Sequence, residues 1–87
     1  MKEITTELTN ETGLHARPAS IFVQEASKYE SKITIIKDDS EFNGKSIMGI
    51  LSMGGVKGDK LIIKADGSDE EEAIEGLKKL VDNDFKS

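Results

Sequence analysis

A single proline sets the frame for the first third of this 87-residue chain. Pro18 has no backbone N–H and a fixed φ, so a helix tolerates it only in the first turn. Ala19, Phe22, Val23 and Ala26 follow at i, i+3, i+4 and i+7, an amphipathic helical stripe. Together they predict a helix over Ala16–Ser27, with His15 at or beside its N-cap. The only histidine, the only arginine and the only proline all fall between positions 15 and 18. The unusual chemistry of the chain is concentrated in one short segment.

The remaining elements follow from pattern. In Lys2–Leu8, Ile4, Thr6 and Leu8 alternate with Glu3, Thr5 and Glu7, the signature of a half-buried strand. Asn10–Gly13 reads as a turn. Lys32–Lys37 holds the β-branched run Ile33-Thr34-Ile35-Ile36 of a central strand. Asp38-Asp39-Ser40 turns the chain into a short partner strand, Glu41–Asn43, ending at Gly44. Leu61–Ala65 is a further strand. Ser68-Asp69-Glu70-Glu71 has the form of a capping box, with Ser68 as N-cap and Glu71 reaching back. The acidic run Asp69–Glu72 suits the positive end of a helix whose buried stripe is Ala73, Ile74, Leu77, Leu80 and Val81.

Ser46 is a good N-cap for a short helix reaching Met53. Two turns cannot bury apolar residues on every side. If Ile50 and Met53 face the core, then Ile47, Met48 and Leu51 form an exposed cluster, and such clusters mark partner surfaces. The element order is β-α-β-β-α-β-α. That order predicts an α+β fold, with three helices on one face of a four-stranded antiparallel sheet and the other face open to water.

Size and charge narrow the functions available. The length fits one domain, residues 1–87, with only a marginal core. Without cysteine, neither disulfides nor a thiolate metal site can staple it. No apolar run approaches the ~20 residues that span a bilayer, and the N-terminus lacks the apolar stretch of a secretory signal. The expected compartment is the cytoplasm. A formal charge of -5, with no basic cluster, argues against binding nucleic acid or a membrane surface.

The segment Gly13-Leu14-His15-Ala16-Arg17-Pro18-Ala19 combines three features that suit an anion. A helix start presents unpaired N–H groups and partial positive charge. Arg17 adds a guanidinium able to hold phosphate oxygens bidentately. His15 supplies an imidazole nucleophile at neutral pH. On residues alone, a histidine in this position is more often a cap or surface residue than a nucleophile. One histidine with no second ligand is a poor zinc site, so no metal or cofactor is expected. A Ser-His-Asp hydrolase has little room for a substrate pocket in so short a chain.

Asn10-Glu11-Thr12-Gly13-Leu14-His15-Ala16-Arg17-Pro18-Ala19 closely resembles the active-site signature of the HPr family, the phosphocarriers of the bacterial phosphoenolpyruvate:sugar phosphotransferase system. A second block, Asn43–Met53, resembles that family's regulatory serine region. The resemblance runs over the whole chain. It implies an open-faced β-sandwich and a carrier rather than an independent enzyme, acting as a monomer without cofactor. His15 would take phosphate on Nδ1 from phosphorylated enzyme I and pass it to the IIA domain of a sugar permease. Arg17 would neutralise the phosphate charge, and Ala16, Pro18, Ile47, Met48 and Leu51 would contribute to the docking face. Position 20, one turn on from Ala16, is given no part in that face.

Ser46 could serve only as an N-cap. The Lys45-Ser46-Ile47-Met48-Gly49 context, however, resembles the branch phosphorylated by HPr kinase/phosphorylase, whose phosphoserine form binds catabolite control protein A. The alternative within the resemblance is a paralogue acting mainly as a regulatory interaction module. Retention of His15 argues against it, since the purely regulatory type is defined by loss of that histidine. One departure stands out: Met53-Gly54-Gly55-Val56 carries an extra glycine, which predicts a looser exit from the second helix.

Overall fold

Four strands, β1 (Lys2–Glu7), β2 (Lys32–Lys37), β3 (Ser40–Asn43) and β4 (Lys60–Asp66), form one antiparallel sheet in the order β1-β4-β2-β3. The computed structural model describes residues 1–9 and 16–85. Register separates the two faces of the sheet. Ile4 pairs with Ile63 and Thr6 with Leu61, while Ile63 pairs in turn with Ile35, and Ala65 with Ile33. Leu61, Ile63, Ala65, Ile33 and Ile35 are buried with the helices in one core. The opposite face carries the rows Thr5–Ile62–Ile36–Glu41 and Glu3–Lys64–Thr34–Asn43, all half-buried or exposed. A period of two thus divides core from water along each strand.

Three helices, α1 (Ala16–Ala26), α2 (Ile47–Met53) and α3 (Glu70–Asp82), cover the buried face. Helix α1 buries Pro18, Ala19, Phe22 and Ala26, and α3 buries Ala73, Ile74, Leu77 and Val81. Helix α1 packs against both α2 and α3, while α3 lies over β1 and β4. The expected order and architecture are therefore present, with strand and helix ends shifted by a residue or so. No helix among the described residues is long and apolar enough to cross a membrane.

Three local details differ from expectation. The β2–β3 connection is a two-residue turn, because Asp38 and Asp39 both adopt the left-handed region (φ 51° and 66°) and Lys37 pairs directly with Ser40. That is the type I′ geometry that matches sheet twist, and aspartate is among the few side chains that tolerate it. Ser68 is not the cap of α3: the N-cap is Asp69, which makes no side-chain bond to the helix. Its carboxylate is drawn away to the α1–β2 connection, accepting from the N–H groups of Glu30 (2.8 Å) and Ser31 (2.9 Å). Glu70, rather than Glu71, reaches back to accept the N–H of Gly67 at 3.2 Å.

The third detail is the C-terminal segment. Asp84 donates its N–H to the Val81 carbonyl (3.0 Å), and Phe85 donates to that of Leu80 (2.8 Å). With Asp84 left-handed (φ 54°), this is a Schellman ending of α3, and it folds Phe85 into the core. Thr9, just beyond β1, donates its hydroxyl to the Asp84 carboxylate at 2.5 Å.

Candidate functional site

The second candidate segment lies wholly within the described residues. Gly44 enters it under a tight constraint: its N–H donates to the Ile33 carbonyl at 2.8 Å, and a Cβ there would lie 2.5 Å from Ile33 Cγ2. Lys45 donates its N–H to Asn43 Oδ1 (2.9 Å) and its ammonium to the Tyr29 carbonyl (2.5 Å), tying this turn to the α1–β2 connection. Ser46 is extended (φ -115°, ψ 118°), and its hydroxyl accepts the N–H of Gly49 at 3.1 Å. Its carbonyl accepts from Ile50 at 3.0 Å. The N-cap expected from the sequence is thus in place.

Helix α2 divides its apolar residues as its length demands. Ile50 and Met53 are 0% and 6% exposed, whereas Ile47, Met48 and Leu51 are 39%, 70% and 37% exposed. The last three share one outward side. Val56, in the loop beyond, is a further exposed apolar residue at 58% that the helical pattern did not single out. The exit from α2 is not loose. Gly54 takes the left-handed conformation (φ 64°) and returns its N–H to the Leu51 carbonyl at 3.2 Å, so the glycine makes a defined cap.

The first candidate segment is described from Ala16 onward. Ala16 and Arg17 are exposed in the first turn of α1, which contains no acidic residue to offset the partial positive charge of the helix start. Pro18 occupies the same turn but is buried, so it leaves the set of exposed docking residues and serves to hold the turn. Ser20, with its hydroxyl, also stays outside that set. Ser20 is half-buried, and its Oγ accepts from Gln24 Nε2 at 3.5 Å along the helix. His15 and the preceding Asn10–Leu14 lie outside the described residues. The packing of α1 on α2 places the two candidate segments on neighbouring helices.

Other concavities lie elsewhere. A groove of about 450 Å³ between β1 and α3 is lined by Lys2, Glu3, Ile4, Glu71, Glu72, Ile74 and Glu75, with no residue of α1 or α2. Among the described residues no group of three or more histidine, cysteine or carboxylate side chains is placed to hold a metal ion.

Comparison with known proteins shows which family the chain belongs to. Residues 2–83 match the family described as PTS HPr component phosphorylation site. The chain belongs to the HPr family. The phosphocarrier protein HPr of Mycoplasma capricolum is 43% identical over 81 residues, covering 93% of this chain and 91% of that protein. A crystal structure of HPr from Thermoanaerobacter tengcongensis superposes with a TM-score of 0.95 at 53% identity, covering 98% of this chain and 96% of that one. The HPr-like protein Crh of Halalkalibacterium halodurans is also similar, 42% identical over 84 residues, covering 97% of this chain and all of that protein. HPr proteins are phosphocarriers of the phosphotransferase system, and the open four-stranded sheet with three helices is their fold.

Proposed function

We propose that this chain accepts a phosphoryl group on His15 Nδ1 from phosphorylated enzyme I and transfers it to the IIA domains of sugar permeases. The observation that carries the reading furthest is the division of α2: Ile47, Met48 and Leu51 stand exposed while Ile50 and Met53 anchor the helix in the core. An apolar patch of this kind, on the helix that packs against α1, suits docking by successive partners. The protein need not provide a substrate pocket, because the reacting phosphorus arrives on one partner and leaves on another.

In this reading His15 is the nucleophile. Arg17 lends its guanidinium to the phosphate oxygens, and the head of α1 contributes its unpaired N–H groups. Ala16, Ile47, Met48 and Leu51 meet the partners. The protein works as a monomer in the cytoplasm and is a carrier, not an independent catalyst. The direct test is a relay assay with phosphoenolpyruvate, enzyme I and a IIA domain. Phosphate should reach the IIA domain only when this protein is added, and His15→Ala should abolish transfer. Equal transfer by His15→Ala would overturn the reading.

Ser46 adds regulation. Phosphorylation by HPr kinase/phosphorylase would place roughly -1.5 to -2 charges beside the exposed trio and weaken docking. The phosphoserine form would in turn bind catabolite control protein A. The similarity to the Crh relative favours a second reading, a module used mainly for such regulatory contacts. The presence of His15 supports the relay over it. Kinase labelling that persists in Ser46→Ala would exclude the regulatory assignment.

A further inference from the structure

Two methionines on α2 have opposite environments. Met53 is 6% exposed and belongs to the core, while Met48 is 70% exposed, between Ile47 and Leu51. We propose that the Met48 thioether is a redox modification site, oxidised by hydroperoxides to the sulfoxide, which disables the docking patch until it is reduced. The inference rests on the docking role given to that patch above.

The chemistry is self-contained. A lone pair on Met48 Sδ attacks one oxygen of hydrogen peroxide, the S–O bond forms as the O–O bond breaks, and the sulfur undergoes a two-electron oxidation. The proton of the transferred oxygen ends on the departing hydroxide, giving water. The product replaces a flexible apolar group with a polar S=O dipole at the centre of the patch. A partner that buries the patch must then desolvate that dipole.

The fold should survive the change. Met48 points away from the core, and its carbonyl is held by the Ser52 hydroxyl at 2.8 Å within the helix. Met53, whose oxidation would place oxygen inside the core, is shielded. Met1 is exposed to a similar degree but lies at the N-terminus of the chain, where its ammonium pairs with Glu70 at 2.9 Å. Its oxidation leaves the α2 patch untouched.

The test is to treat the protein with graded hydrogen peroxide, locate sulfoxide by peptide mass spectrometry and measure phosphoryl transfer to a IIA domain. Met48 should oxidise well before Met53. Transfer efficiency should fall about tenfold, equivalent to about 1.4 kcal/mol, and return after treatment with methionine sulfoxide reductases A and B. Met48→Leu, whatever its own rate, should keep that rate after peroxide. Oxidation of Met48 no faster than Met53, or full transfer by protein carrying Met48 sulfoxide, overturns the inference and leaves the relay intact. Failure of the untreated protein to transfer phosphate overturns the relay and the inference together.

Discussion

The carboxylate of Asp69, at the head of α3, accepts both the backbone N–H of Ser31 (2.9 Å) and its hydroxyl (2.5 Å) across 38 residues of sequence. The second carboxylate oxygen takes the N–H of Glu30. Ser31 is fully buried, and Gly67 presses so close that a Cβ would lie 2.7 Å from Ser31 Cα. A residue expected only to start a helix therefore ties that helix to the α1–β2 connection.

These bonds hold the Asp69 carboxyl below its ordinary value of 3.8, the Ser31 hydroxyl first and the Glu30 N–H second. A depressed carboxylate contributes stability that is present above its unfolded pKa and is lost as pH falls through its folded one. Asp69→Asn should lower the melting temperature at pH 7. It should also flatten the acid fall of the curve below about pH 4. Thermal melts of both proteins from neutral to acid pH check this; parallel curves would contradict it.

Gly76 should resist the replacement that helix propensity favours. Alanine in a helix interior is worth roughly 1 kcal/mol over glycine. Here its Cβ would lie 2.2 Å from the Tyr29 hydroxyl oxygen and 2.9 Å from Glu25 Oε2. The Tyr29 hydroxyl donates to that same Glu25 oxygen at 2.8 Å, and burial, then Glu25, push its pKa up to about 12. Both contacts are with the ends of side chains that can swing aside at the cost of their mutual hydrogen bond, so Gly76→Ala should cancel the propensity gain and destabilise by up to about 1 kcal/mol. The loss should shrink in a Tyr29→Phe background. Urea unfolding of the four proteins tests it, and a Gly76→Ala chain more stable than its parent would contradict it.

Ser46 has a structural duty whatever its regulation. Its hydroxyl satisfies the Gly49 N–H, so Ser46→Ala should cost about 1 kcal/mol, the usual worth of an N-cap. Ser46→Asp should keep most of that stability. Equilibrium denaturation distinguishes them; equal stability of Ser46→Ala and the parent would show that the cap contributes nothing.

Much of the architecture was legible because short-range rules govern it. The alternation of Ile4, Thr6 and Leu8, the stripe after Pro18 and the Ser46 cap each depend on residues within a turn or two. The exposed trio on α2 followed from counting sides. What escaped depends on partners distant in sequence. Ser68 looked like a better cap than Asp69 because nothing local announces that Ser31 will claim the Asp69 carboxylate. The pairing of β1 with β4 and β4 with β2 is likewise set by long-range register. Phe85 was the one avoidable miss: Leu77, Val81 and Phe85 are spaced by four, so the stripe of α3 continues into the residue that its Schellman ending buries. At the site, residues supplied the anion-binding logic of Arg17 and the helix start, but the choice between a nucleophilic and a capping His15 came from family resemblance.

The central claim is that His15 carries phosphorus. Incubation with phosphoenolpyruvate and enzyme I, followed by 31P NMR, measures this most directly. One phosphoramidate signal is expected, labile in acid and stable in base, and absent from His15→Ala. No such signal, under conditions where a known HPr is phosphorylated, would contradict the claim.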